Sequence, residues 1–270
     1  SIWATANLGD YSAAVKDGEW AGSVFAEAVE WRYLATVENN LAAIHNRSWE
    51  YEKALERLEV AHRAYLKMGD AGEPFLANNY INRALALCYL ARFAASLQAS
   101  QTALEIATRH AQTLVIARAR HNMGMTYFLM GEYNRALDLL LEARQTHAQA
   151  GQPNEAALCD LTITDCLLQL GRRHDALEKC RSLRLVFKEM GMRLEAAETA
   201  RNQAVALAGL GQYADAIHAL HEARELFETA VLPHMVARTD LELAALHLRN
   251  GQAGLSLEIA RNSLAVLTGL

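Results

Sequence analysis

Proline occurs only three times in 270 residues, and no apolar run approaches the roughly 20 residues needed to cross a bilayer. The first scarcity leaves long stretches free to be helical, and the second speaks against a helical membrane span. Cysteine is limited to Cys88, Cys159, Cys166 and Cys180, with no CxxC spacing. Neither a zinc ribbon nor a disulfide framework is expected, and the four read as free thiols buried at helix contacts in a reducing compartment. Aromatic residues make up 7% of the chain, so packing falls to Ala and Leu within a hydrophobic content of 52%. Positive charge is short as well: a net charge of −5 argues against a nucleic-acid binder, which needs a basic surface.

Catalytic signatures are missing too. There is no GxGxxG opening a helix, no GxxxxGK[ST], no HExxH and no GxSxG. The expectation is a protein without catalytic residues and without a cofactor. No secretory leader is visible, which fits a cytoplasmic location. A start at Ser1 rather than Met suggests an excised fragment, with a possible effector domain outside it.

What the chain does have is a sentence repeated at steps of about forty residues. Asn122-Met123-Gly124, Gly131-Glu132-Tyr133, Ala136-Leu137 and Ala143 recur eighty residues on as Asn202-Gln203-Ala204, Gly211-Gln212-Tyr213, Ala216-Ile217 and Ala223. The marker position continues as Asn40, Asn82, Thr162 and Glu242. A turn glycine recurs as Gly131, Gly171, Gly211 and Gly251, replaced by Ala91 and Trp49 in the first two copies. Small residues return at Ala54, Ser96, Ala136, Ala176, Ala216 and Ser256, each followed by Leu or Ile. Ridge-into-groove packing of helices needs this alternation of small and large.

Apolar residues at three- and four-residue steps support helix alone, with no alternation long enough for a strand. The spacing predicts helices near 113–130 and 133–149 in the third copy. Pro74, Pro153 and Pro233 fall eight or nine residues before the marker, where a first helical turn can lack an N–H. The expected fold is all-α: a right-handed superhelical solenoid of antiparallel helix pairs. Six pairs are expected at about 31–70, 71–111, 112–151, 152–191, 192–231 and 232–270. Residues 1–30 would form a helical capping segment or a remnant of a further repeat.

Over roughly residues 31 to 268 this pattern resembles tetratricopeptide repeats of the longer, forty-residue variety. Asn39-Asn40-Leu41-Ala42 and Asn122-Met123-Gly124 are similar to the Asn-Leu-Gly or Asn-Leu-Ala stretch of kinesin light chains and Pins-type spindle adaptors. Similar repeats are attached to bacterial signalling ATPases and CHAT-type peptidases. Arg83 and Gln203 depart from the family, which usually has leucine there. The resemblance implies a protein-interaction scaffold, with the first helix of each pair on a concave wall that binds a peptide or partner protein. A regulatory arm of a larger signalling ATPase, peptidase or transcription regulator is the alternative.

In that register Asn40, Asn82, Asn122 and Asn202 fall on or beside the wall. A carboxamide both donates and accepts, so a ladder of them suits an extended peptide backbone or, equally, bonds to the neighbouring helix. Specificity would come from Asn78, Arg118 and Glu198 four residues earlier, Met125 and Asp165 three residues later, and His121. Arginine makes paired bonds to carboxylates, and methionine adapts its shape to apolar anchors.

Two regions break the pattern. Trp3, Trp20, Trp31 and Trp49 all lie in the first forty-nine residues, as a cap on the first pair or as an exposed interface, with Trp49 the best interface residue because it occupies a turn. The fourth copy is rich in arginine and lysine, either as a solvated outer helix or as a surface for an acidic partner. The cluster His218, His221, Glu222 and Glu225 could put two metal ligands on one helix face, but a closed zinc site wants four, and no metal is expected. Glu59 and His62 form a single ExxH, without the second copy that di-iron bundles need.

Overall fold

A computed structural model describes residues 11–230 and 232–268. Trp3 and the first ten residues of the expected capping segment lie outside them. The chain divides into two compact units, Ser1–Ala150 and Gly151–Leu270. The first contains α1 (Tyr11–Glu27), α2 (Trp31–Arg47), α3 (Tyr51–Lys67), a short 3-10 turn (Gly69–Ala71), α4 (Glu73–Tyr89), α5 (Phe93–Arg109), α6 (Thr113–Leu129) and α7 (Tyr133–Gln149). The second contains α8 (Pro153–Gln169), α9 (Arg173–Glu189), α10 (Arg193–Gly209), α11 (Tyr213–Thr229), α12 (Pro233–Arg249) and α13 (Ala253–Thr268).

Helices end because one residue in each fully described turn adopts a left-handed backbone. Gly131, at φ +81°, donates to the Phe128 carbonyl while Glu132 donates to the Tyr127 carbonyl, so the last carbonyls of α6 are satisfied as the chain reverses. In the α2–α3 turn the same duty falls on Trp49, at φ +64°, where a side chain costs strain that glycine avoids. Pro153 and Pro233 open α8 and α12, where their missing N–H has no intrahelical partner to lose.

In the first unit α2–α3, α4–α5 and α6–α7 are antiparallel pairs, and the first helices touch in order, α2 to α4 and α4 to α6. Leu34, Ala35, Ala61, Ala64, Leu76, Ala77, Ile106 and Ala107 form a buried seam running through α2, α3, α4 and α5. Small residues set the spacing: a Cβ added to Gly124 would stand 2.7 Å from Leu140 Cγ, so α6 and α7 meet closer than a side chain allows. At the other end Ala14 of α1 packs with Ile44 of α2. Trp20 and Trp31 do not make that contact: Trp20 is 71% exposed, and Trp31 is half-buried beneath the Lys67 ammonium, 3.7 Å from its ring.

The second unit repeats the plan with α8–α9, α10–α11 and α12–α13, and α8 touches α10. Leu161, Leu183 and Phe187 form one buried cluster, and Ala197, Ala200, Ala223, Phe227 and Met235 another. Cys180 is fully buried where Leu140 and Leu220 stand in neighbouring copies, and all four cysteines are free and buried. No helix among the described residues is long and apolar enough to cross a membrane.

Candidate functional site

The wall of the first unit is made by α2, α4 and α6. Asn78 and Arg118, forty residues apart at the same register position, meet across α4 and α6: Arg118 Nη1 donates to Asn78 Oδ1 at 2.9 Å. Both are half-buried and partly open to solvent. Met125 lies three residues beyond Asn122 and accepts a long contact from the Tyr89 hydroxyl at 3.8 Å. Asn40 is half-buried on α2.

The asparagines turn inward. Asn122 is 7% exposed, and its Nδ2 donates to the Ile81 carbonyl of α4 at 2.9 Å. Asn82 is buried, and its main-chain carbonyl accepts from Asn46 Nδ2 of α2 at 3.1 Å. Asn79, which the repeat did not single out, is completely buried and donates to the Leu58 carbonyl of α3 at 2.9 Å. Its signal in the sequence was a carboxamide at a register position that otherwise holds Val37, Ala119, Cys159, Thr199 and Thr239.

His121 is half-buried on α6. Burial, then the charges of His147 and Arg118, push it down to about 4, so its imidazole stays neutral near pH 7. Its Nε2 is buried without a hydrogen-bond partner. Forty residues on, the positions of His121 and His147 hold Leu161 and Phe187, which pack together in an apolar cluster. The third copy thus places two imidazoles where the fourth places a leucine and a phenylalanine.

In the second unit the wall consists of α8, α10 and α12. Asn202, 2% exposed, donates to Asp165 Oδ1 of α8 at 2.7 Å. Glu198 stands one turn before Asn202 on α10. Two arginines approach, but both turn to a third acid: Arg201 Nη1 lies 3.1 Å and Arg238 Nε 3.8 Å from Glu242 Oε1. Asp165 and Glu198 have no ion pair among the described residues. Burial pushes the Asp165 carboxyl up to about 6, against the pull of Asn202, Arg201 and Arg238. Burial and the neighbouring Asp165 charge push Glu198 up to about 7. Burial and the same aspartate drive the Cys166 and Cys180 thiols up to about 12, which leaves both unreactive at neutral pH. The repeat pointed to Asp165, Glu198 and Asn202, but gave no reason to join Arg201 and Glu242 to them.

Elsewhere, Trp49 is 52% exposed in its turn, off the helix faces. Three cations of the fourth copy are engaged: Arg172 with Asp175 at 2.6 Å, Lys179 with Asp160 at 2.5 Å, and Arg184 with both carboxylate oxygens of Glu222 at 2.5 Å. Glu222 is therefore tied to an arginine, and among the described residues no three His, Cys, Asp or Glu side chains gather as a metal site.

Residues 75–149 match the family model described as tetratricopeptide repeat. No curated protein matches the sequence. Among solved structures, the apo form of RapI overlays with a TM-score of 0.70 at 17% identity, over 97% of this chain and 92% of that one. A Rap conjugation gene regulator of the plasmid pLS20, in complex with the Phr* peptide, has a TM-score of 0.71 at 17% identity, over 87% of this chain and 62% of that one. The signal transduction ATPase with numerous domains and a tetratricopeptide repeat sensor from Pyrococcus horikoshii has a TM-score of 0.68 at 15% identity, over 98% of this chain and 40% of that one. These likenesses establish a shared fold: an all-α solenoid of tetratricopeptide-type helix pairs.

Proposed function

We propose that this array of tetratricopeptide-type helix pairs is a non-catalytic scaffold that binds a peptide or partner protein along the concave wall of its first helices. Six pairs over 31–270, three in each unit, would each add a first helix to such a wall, with residues 1–30 as a helical capping segment or a remnant of a further repeat. The observation that carries the reading is the meeting of Asn78 and Arg118, whose equivalent register positions share one partly open face. Solenoid stacking repeats such a face pair by pair, and an extended ligand can follow it. The peptide-bound Rap regulator has the same fold, which makes a peptide a reasonable occupant.

Among the residues of the wall, Asn78, Arg118, Met125, Asp165 and Glu198 are the proposed ligand contacts, with Asn40 at its start. Asn82, Asn122 and Asn202 chiefly hold one first helix to the next, so their contribution to a ligand is the shape of the wall. Trp49 would serve a separate partner at the turn. The test is affinity panning of a decapeptide display library on the wild-type chain and on Arg118→Met. Peptides that bind the wild type in the micromolar range and lose affinity at least tenfold on the variant support the reading. Selection of no peptide, or equal binding by both proteins, refutes it.

A second reading has its own observation. The archaeal ATPase uses a tetratricopeptide repeat array as a sensor, and this chain spans 40% of that protein. A regulatory arm attached to a larger effector would bind its ligand on the same wall and relay the change outward.

A further inference from the structure

The wall of the second unit is short of positive charge. Asp165, Glu198 and Glu242 stand against two guanidiniums, Arg201 and Arg238, and Glu195 adds negative charge one turn away. Both guanidiniums are directed at Glu242, and Arg201 Nη2 also reaches Asn202 Oδ1 at 3.5 Å. Asp165 receives only the neutral amide of Asn202, at 2.7 Å. Glu198 is half-buried and makes no hydrogen bond or ion pair among the described residues.

A half-buried carboxylate without an ionic partner costs stability, because the hydration it loses is not replaced. A leucine at Glu198 would remove the cost within the chain, yet it does not occur. Both acids keep part of their surface open to solvent. The missing partner can therefore arrive from outside.

We infer that Asp165 and Glu198 form a subsite for one positively charged group of the ligand, a guanidinium or ammonium, clamped between α8 and α10. The inference rests on the first-helix wall being the ligand surface. Asn202 fixes one oxygen of Asp165 and so aims the other, while Glu198 closes from the next first helix. A planar guanidinium matches two carboxylates through its fork of donors better than an ammonium does. Arg201 and Arg238, held by Glu242, border the subsite and disfavour a second cation there.

The experiment titrates the full chain with arginine amide and with citrulline amide, its uncharged isostere, and follows binding by protein NMR. Arginine amide is expected to bind at least tenfold more tightly at pH 8, with the largest shifts at Asp165, Glu198 and Asn202. Discrimination should vanish in Asp165→Asn and Glu198→Gln and persist in Arg118→Met. Both amide variants remove a poorly solvated charge, so retained or raised thermal stability is expected and is checked by a circular dichroism melt. Equal binding of the two probes, or discrimination that survives both amide variants, overturns the subsite. If panned peptides bind through Arg118 while arginine amide does not discriminate, the subsite is wrong and the scaffold reading stands. If arginine amide discriminates as expected while panning yields no peptide, the subsite stands and the scaffold reading fails.

Discussion

The Asn122 carboxamide reaches from one first helix to the main chain of the one before it, donating to the Ile81 carbonyl at 2.9 Å. One side chain therefore joins α6 to α4 at a depth where water does not compete. Asn122→Ala is expected to lower the unfolding free energy by about 1–2 kcal/mol, the worth of a buried hydrogen bond plus a small cavity. Urea denaturation checks this. An unchanged midpoint would mean that the bond contributes nothing to stability.

Gly124 reports how tightly α6 and α7 are spaced. With a Cβ placed 2.7 Å from Leu140 Cγ and 3.2 Å from the Ala136 carbonyl, Gly124→Val must push the helices apart. Overpacking of this kind costs about 1–3 kcal/mol. A thermal melt should show the loss, and Leu140→Ala in the same chain should recover part of it.

The paired imidazoles of the third copy predict acid sensitivity in the first unit. His121 is held at about 4 in the folded protein against an ordinary 6.5, so the unfolded chain binds more protons between those values. Stability is therefore full above about pH 6.5 and falls as the pH drops toward 4. His121→Leu with His147→Phe, the residues found forty positions on, should flatten that fall and add on the order of 1–3 kcal/mol near pH 5. Hydrogen exchange of α6 and α7 at pH 5 and pH 7 reads it directly.

The acids of the second unit predict the opposite slope. Asp165 is raised from 3.8 to about 6 and Glu198 from 4.5 to about 7, so here the folded state binds the extra protons. Their contribution is present below about pH 4 and lost as the pH rises through 6 and 7. Amides of α8 and α10 should be better protected at pH 5 than at pH 8 once intrinsic exchange is corrected, and Glu198→Gln should abolish most of the difference. Equal protection at both pH values in the wild-type chain would show that neither carboxyl is perturbed.

The fold was legible because its determinants are local and repeated: alanines where helices cross, one left-handed residue per turn, prolines in first turns. Even the helix predicted over 133–149 coincides with α7. The site was legible only as a set of positions. Register placed Asp165 and Glu198 on the wall, but their lack of an ion pair depends on Arg201 and Arg238 both choosing Glu242, a competition among side chains on three helices that spacing does not encode. His121 shows the same limit from the other side. Its position pointed to a contact on the wall, but the cost of charging it comes from the protein packed around it and from His147, which spacing does not encode.

The left-handed residues fall at Val29, Trp49, Gly69, Ala91, Ala111, Gly131, Gly151, Gly171, Gly191, Gly211 and Gly251, close to one every twenty positions. Genetic exchange between two such turns an even number of helices apart, such as those at Gly131 and Gly171, would rejoin the chain in phase, with helix lengths and turn chemistry preserved. The number of pairs can thus change by recombination without redesign of any junction, and with it the length of ligand the molecule can read.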